Sequence, residues 1–423
     1  MPQTDDAQTP AGFGELLRDN ANVRRLWGGT VVSLFGDWFN TLALYRLALD
    51  LTGSEAALGG VFLTKLLPLA LASPLAGVLV DRVDRKHVMI GADIVRAGIV
   101  LGFLFVRDAG DLWLLYTLAA AQIAVSATFT PAKNAILPGI TSPRELLTAN
   151  ALLSATWSTM LALGAAAGGP AVDLFGTDAV FLFDAATYLV SAAIIWRIRA
   201  PEARRPPAAR AAESAVRVAA RQIWDGWRYL RRRPDVGRIA LAKASWGLGG
   251  GGLLLALALV GERLFPGAGT TGIGVLLAAR GIGTGIGPIL ARALFPDERR
   301  WPVVLGACVV ACGLGYLGVG AGIDVRWVVV ACVVFAHAAG GANWVLATTL
   351  LQRRADDAFR GRVFATDWLL VALVESVSIT AASVMLEAGV ALVHVIGVLA
   401  SVSVTVGVVW LLTIVPAERR ARA

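Results

Sequence analysis

The chain has 423 residues, of which 57% are hydrophobic and 16% are charged, and its mean hydropathy is +0.67. A soluble domain carries about 25% charged residues, so this composition excludes an ordinary soluble protein and indicates an integral membrane protein. The net charge of +8 does not indicate a nucleic-acid partner, because the basic residues lie between apolar segments rather than in a basic domain with interleaved aromatic residues. We expect contacts with membrane lipids and none with nucleic acid.

The amino-terminal segment, residues 1–23, contains acidic and polar residues. It lacks the basic start, the apolar core and the small-residue cleavage site of a signal peptide. We therefore expect a tail that is not removed.

Apolar runs of about 18 to 25 residues follow one another through the rest of the chain, and an α-helix needs this length to cross ~30 Å of hydrocarbon. Strands of a membrane barrel would instead alternate in hydrophobicity over about 10 residues. The runs predict an all-α membrane protein with twelve transmembrane helices. The predicted helices lie at about 24–49, 56–80, 87–107, 112–136, 146–172, 179–197, 236–262, 271–295, 302–321, 326–350, 361–387 and 390–413.

The predicted helices form two six-helix halves, 24–197 and 236–413, joined by a polar linker at 198–235 and followed by a tail at 414–423. The linker begins rich in proline and alanine. Apolar residues then recur at spacings of three and four while arginines take another face, which favours an amphipathic helix on an anionic membrane surface. A solvated linker helix is the alternative. The apolar positions are Val216, Ala220, Ile223, Trp227 and Leu230.

The distribution of lysine and arginine predicts the orientation of the chain. Apart from five basic residues inside predicted helices, only Arg107, Arg263 and Arg326 lie on one side; all others fall in the amino-terminal segment, in the loops after even-numbered helices, or in the carboxy-terminal tail. Basic residues accumulate on the cytoplasmic side of membrane proteins. We therefore expect both termini and the linker in the cytoplasm and the protein in the inner, cytoplasmic membrane.

The sequence GVLVDRVDRK, residues 77–86, joins predicted helices 2 and 3. Gly77 leaves room for the backbone of a neighbouring helix, and Asp81 is placed to pair with arginines or with a helix amino terminus. Such a contact can form in one conformation and break in another, so this segment is a candidate gating motif. Its members are Gly77, Asp81, Arg82, Arg85 and Lys86.

This segment resembles the signature of the major facilitator superfamily, G-x-L-a-D-R-x-G-R-K, with Asp84 in place of the common glycine. Further stretches resemble the branch that exports drugs, macrolides and siderophores. These stretches are SLFGDWFNTLAL with LTGS, DIVRAG, FTPAKNAILP and LQRRADDAFRGRVF.

Two other patterns relate to this family. The motif at 77–82 recurs at 287–292, half a chain later, with Ala291 where the first copy has Asp81. This predicts parallel repeats whose cytoplasmic gates are unequal. Predicted helix 5 ends in LGAAAGGPAVD, which matches the antiporter signature G-x-x-x-G-P-x-x-G-G only in part, because Asp173 is one of the residues that replace its glycines.

Ionisable residues in the middle of a membrane helix are unfavourable and need a reason. Those near helix midpoints are the candidate substrate and proton pathway: Asp37, Lys65, Arg96, Arg280 and Glu375. Asp93 lies three residues before Arg96, and this spacing predicts a structural ion pair. For the carboxylates of Asp37 and Glu375 two hypotheses stay open, an ion pair with a nearby cation or a group that binds protons or a cationic substrate.

The remaining intramembrane polar residues are assigned structural roles. Lys243 and Asp367 lie nearer helix ends, as do Arg46 and Glu262, and we expect these four side chains to snorkel to the interface. We expect His337 to be a packed hydrogen-bonding side chain rather than a proton relay. The three cysteines lie in apolar runs and are expected to be packing residues.

The resemblance implies a secondary active transporter that exports a small amphipathic molecule, such as a drug, a macrolide or a siderophore, by alternating access with protons as the coupling ion. An uptake carrier or facilitator of the same fold is the alternative, and a membrane-embedded enzyme or lipid scramblase is a third possibility. Motifs such as the Walker loop, HExxH and GxSxG are absent from the sequence. We expect no enzyme activity, no cofactor, no metal and a monomeric protein.

Overall fold

The structure, a computed structural model, describes residues 11–199, 215–264, 269–357 and 359–420, without the side chains of Val78, Asp81 and Ala215. The helices are α1 Phe13–Asp19, α2 Ala21–Thr52, α3 Glu55–Arg82, α4 Arg85–Gly102, α5 Leu112–Ile140, α6 Pro143–Trp196, α7 Ala215–Arg232, α8 Pro234–Leu264, α9 Gly269–Leu294, α10 Trp301–Ala321, α11 Arg326–Arg354, α12 Arg360–Glu387 and α13 Leu392–Arg420.

Regular structure in the described ranges is helical throughout, which confirms the all-α class. Ten of these helices are long and apolar enough to cross a membrane. The helix α2 is not among the ten, and α6 covers both the fifth and the sixth predicted spans. The count of twelve spans therefore stays a prediction.

The helix α6 is a stretch of 54 residues that reverses direction at Gly176, whose φ of 79° and ψ of 167° suit a residue without a side chain. The contacts with α2 show the reversal. Trp27 donates to the hydroxyl of Thr156 on the first arm at 3.0 Å, and Arg25 donates to the carbonyl of Arg197 just after the second arm at 2.8 Å. Both arms of α6 therefore run along α2, in opposite directions.

The bundle has two ends. We call the end with residues 11, 83, 142 and 420 the terminal end, and the end with the α2–α3 connection and Gly176 the distal end. Polar contacts join the two halves at the distal end. Asp173 accepts the backbone N–H groups of Thr270 at 2.9 Å and Thr271 at 2.7 Å, at the start of α9, and Arg263 pairs with Glu55. The halves are thus tied together at this end.

The described part of the linker forms the helix α7, which lies against α12 at the terminal end. The ring of Tyr229 stacks on Phe359 with centroids 4.8 Å apart, and Asp225 lies 3.6 Å from Arg362. That one apolar face of this helix meets the membrane stays a prediction, because Leu230 of that face is buried against the protein whereas Val216, Ala220 and Trp227 are exposed. The large apolar side chains that α7 leaves exposed are Val216, Trp224 and Trp227.

Candidate functional site

The first half contains a buried cluster around Arg96 of α4. One guanidinium nitrogen pairs with Asp93 on the same helix, and another lies 3.9 Å from the carboxylate of Asp37 on α2. Arg96 and Asp93 are buried, whereas the side chain of Asp37 is 30% exposed. The guanidinium carbon also lies 4.2 Å from the centroid of the Tyr188 ring, where a cation is attracted to the aromatic face. Arg96 therefore has two carboxylates and an aromatic ring around its charge.

Side chains that the sequence analysis did not select complete this cluster. The hydroxyl of Tyr188 donates to Asp37 and accepts from the amide of Gln122 at 3.0 Å. Asp184 is fully buried and accepts from the amide of Asn40 at 2.8 Å. Asp184 is an acid within an apolar run, which is the signal that selected Asp37, so the same criterion could have found it.

Lys65 of α3 belongs to the same cluster. Its ammonium group donates to the hydroxyl of Thr41 at 2.5 Å and interacts electrostatically with Asp37 and Asp184. The carboxylate of Asp37 thus has two cations and a tyrosine hydroxyl nearby while part of it is exposed. A carboxylate in such a setting can change partners when a proton binds or leaves.

The second half places the other two candidates in a different arrangement. Arg280 of α9 interacts electrostatically with Glu375 of α12, with Tyr316 of α10 and with Tyr45 of α2. Among the described side chains no carboxylate oxygen lies within 4.0 Å of its guanidinium nitrogens. Glu375 is 9% exposed. The structure groups Asp37, Lys65 and Arg96 in one cluster, and Arg280 and Glu375 in another.

His337 of α11 is buried, and its Nε2 lies 2.9 Å from the hydroxyl of Tyr316. The prediction of snorkelling side chains is wrong for Lys243 and Asp367, which are 2% and 0% exposed and form an ion pair between α8 and α12. Position along a helix suggested an interfacial location, but both side chains point towards the neighbouring helix.

The candidate gating motif spans the connection between α3 and α4. A Cβ atom at Gly77 would meet no heavy atom within 4 Å, so the expected close approach of a neighbouring backbone is not found in this conformation. Asp84, the residue that departs from the family signature, caps α4 by accepting the N–H groups of Lys86 at 3.0 Å and His87 at 3.1 Å. The role of Asp81 lies outside the described side chains.

The basic residues of the motif contact the first half. Arg85 donates to the carbonyl of Ala135 in α5 at 2.9 Å, and the ammonium group of Lys86 lies 5.6 Å from the centroid of the Trp196 ring. Arg82 is exposed on the last turn of α3. The described contacts of Arg85 and Lys86 hold the α3–α4 connection against α5 and α6.

Two helical halves, each with charged residues in the middle of its helices, are typical of membrane transporters. The sequence profile of the Major Facilitator Superfamily matches residues 26–374. The chain therefore belongs to the Major Facilitator Superfamily, and it is an all-α transporter of that family.

Relatives include proteins with and without a named substrate. The chain is 29% identical over 404 residues to an uncharacterized MFS-type transporter of Mycobacterium tuberculosis, with 90% of this chain and 88% of that protein aligned. It is 36% identical over 125 residues to macrolide efflux protein A of Streptococcus pyogenes, which covers 29% of this chain and 31% of that protein. A match to an uncharacterized MFS-type transporter of Bacillus subtilis, 30% identical over 182 residues, spans 43% of the length of each protein.

The fold also matches solved structures. A peptide transporter of the POT type, crystallised in complex with alafosfalin, superposes with a TM-score of 0.76 over 99% of both chains at 12% sequence identity. At this identity the similarity concerns the fold alone.

Proposed function

We propose that the protein is a secondary active transporter that exports a small amphipathic organic molecule across the cytoplasmic membrane by alternating access, coupled to protons as an antiporter. Its substrate class includes drugs, macrolides and siderophore-like molecules, so that expression confers multidrug resistance. In this proposal both termini and the linker are cytoplasmic, as the distribution of basic residues favours. The macrolide exporter among the relatives supports the direction of transport.

The observation that carries the proposal is the arrangement of Asp37 in the first half. Its carboxylate is partly exposed and lies 3.9 Å from Arg96, accepts a hydrogen bond from Tyr188, and interacts with Lys65. A carboxylate that loses its cationic partners and its solvent favours the protonated form, and one that regains them favours the ionised form. Alternating exposure of Asp37 to the two sides would therefore move protons.

Glu375 offers a second carboxylate in the other half, where Arg280 is its cation. In transporters with two repeats, substrate and coupling-ion sites lie between the halves near the middle of the bilayer. Each half thus has one acidic group, Asp37 or Glu375, that could bind or release a proton while the substrate moves in the opposite direction.

The proposal is tested in proteoliposomes with a radiolabelled macrolide and an imposed proton gradient. Asp37→Asn and Glu375→Gln are expected to abolish uphill transport, while exchange of labelled for unlabelled macrolide without a gradient survives in at least one variant. Asp50→Asn is the matched control, because this exposed acid on α2 pairs only with Arg46 at 2.7 Å among its described contacts.

Three results would contradict parts of the proposal. Uphill transport by both carboxylate variants with an unchanged pH dependence would reduce Asp37 and Glu375 to structural ion pairs. Accumulation of the macrolide on the cytoplasmic side would favour the uptake carrier. A screen for resistance and drug accumulation, in cells without their own efflux pumps, extends the same test to other substrates, and no change for any compound would argue against an exporter of drugs.

A further inference from the structure

Arg280, which is partly exposed, differs from Arg96 and Lys243, the two cations that are buried in the described part of the bundle. Arg96 contacts two carboxylates, and Lys243 forms an ion pair with Asp367. The guanidinium of Arg280 has no carboxylate within 4.0 Å among the described residues, and its buried Nε has no hydrogen-bond partner there. Its donors are therefore available to another molecule.

Even partial removal of a charge from water is unfavourable when no close counter-ion compensates it. Glu375 is the acid that influences Arg280, but it lies beyond ion-pair distance. The planar guanidinium offers parallel N–H donors that match a carboxylate or a phosphate group. A bound anion would thus supply both the missing charge and the missing hydrogen bonds.

The surroundings of Arg280 are rich in donors and aromatic rings. Tyr45 approaches from the first half, and Tyr316 approaches from the second half with its hydroxyl on His337. The indole N–H of Trp246 lies near the thiol of Cys312 and against α11 near Gly340. Tyr45 comes from a different half than the other rings, so the region around Arg280 lies where the two halves meet.

We propose that Arg280 binds an anionic group, a carboxylate or a phosphate, of a transported molecule, so that amphipathic acids are among the substrates of this transporter. This inference rests on the proposed transport function and names its substrate class.

The test measures equilibrium binding to the purified full-length protein in detergent. The probes are phenylacetate and phenyl phosphate, each compared with a neutral analogue, phenylacetamide and phenol. Binding is followed by the shift in melting temperature and by quenching of tryptophan fluorescence. The acids are expected to bind more tightly than their neutral analogues, and Arg280→Gln is expected to weaken acid binding by about 10- to 100-fold, which corresponds to the loss of charge-assisted hydrogen bonds.

Arg280→Lys keeps the charge but loses the planar donors, so its acid binding is expected to lie between wild type and Arg280→Gln. Arg46→Gln is the control, because it removes an exposed cation from the helix that carries Tyr45. Equal binding of acids and neutral analogues, or no loss in Arg280→Gln, would overturn the proposal. So would a lack of acid binding by the wild-type protein.

A double variant separates substrate binding from a purely structural pairing of Arg280 with Glu375. If Arg280 only balances Glu375, the combination Arg280→Gln with Glu375→Gln restores acid binding and the melting temperature, and the proposal is wrong. If Arg280 binds the substrate, the double variant stays deficient in acid binding. These measurements use neither a gradient nor a direction of transport, so their failure is distinguishable from failure of the export proposal.

Discussion

The two halves of the bundle share one fold but surround their central arginine with different groups. In the first half Arg96 lies between the carboxylates of Asp93 and Asp37 and against the Tyr188 ring. In the second half Arg280 has aromatic and hydroxyl groups around it and an acid only at longer range. A repeated fold can therefore hold a closed charge network on one side and available donors on the other, and in our proposal the available donors bind the substrate.

The repeated motif shows a second difference between the halves. A Cβ atom at Gly77 would meet nothing within 4 Å, whereas one at the equivalent Gly287 would lie 2.6 Å from the backbone carbonyl carbon of Ala338. The helix α9 is thus packed tightly on α11 at the position where α3 is open. The close approach that the sequence motif suggested for Gly77 occurs in its repeat.

Replacement of Arg96 should have the largest effect on stability. Arg96→Gln leaves Asp93 buried without its cation, and the expected loss is about 3–5 kcal/mol. Arg280→Gln should change the melting temperature in detergent much less, because it breaks no close ion pair. The double variant Asp93→Asn with Arg96→Gln should recover most of the loss. Equal losses for the two arginine variants would contradict the difference between the halves.

Alanine at the two repeated glycines should give a smaller but clear difference. Gly287→Ala forces a methyl group against the backbone of Ala338, and overpacking of this kind costs about 1–3 kcal/mol. Gly77→Ala should be neutral or slightly stabilising, since alanine is favoured over glycine in a helix by about 1 kcal/mol. The melting temperatures of the two variants measure this directly. An equal drop for Gly77→Ala would show that α3 is packed as tightly as α9.

Loss of the contact that Asp173 makes at the distal end should have the smallest effect. It should change the conformation of the protein rather than its folding. Asp173→Ala removes the hydrogen bonds to Thr270 and Thr271, and we expect a roughly tenfold shift towards conformations in which the distal ends are apart. Spin labels at Gly110 and Asp324, one in each half, report the distance between the distal ends by pulsed electron paramagnetic resonance. The control Asp178→Ala removes the ion pair with Arg107, which lies within the first half. Identical distance distributions for the two variants would exclude a role in gating.

The sequence was sufficient for the fold class because long apolar runs leave few alternatives to membrane helices. The first predicted helix, 24–49, lies within α2, which spans Ala21–Thr52. The connection between the fifth and sixth predicted helices looked like a loop because polar residues such as Asp173 and Asp178 flank it. The helix reverses direction at the single residue Gly176, and a hydropathy pattern does not predict such a geometry.

The sequence predicts only part of the candidate site, because some contacts depend on local spacing and others on how the helices are rotated against one another. The pair of Asp93 and Arg96 follows from local spacing, since residues three apart share a helix face. The contact of Tyr188 with Asp37 joins residues far apart in the chain, and it depends on how α6 is rotated against α2. The same holds for Lys243 and Asp367, where helix rotation decided between an interfacial side chain and a buried ion pair.

The reversal at Gly176 has a mechanical consequence. The first arm of α6 lies against α9, where Asp173 meets the start of that helix, and the second arm carries Asp184 and Tyr188 into the cluster of the first half. With a single non-helical residue between them, the two arms have no slack. We therefore expect a shift of the first arm at the boundary between the halves to move the second arm and the hydrogen bond of Tyr188 to Asp37 with it, and a longer, flexible connection to uncouple the two.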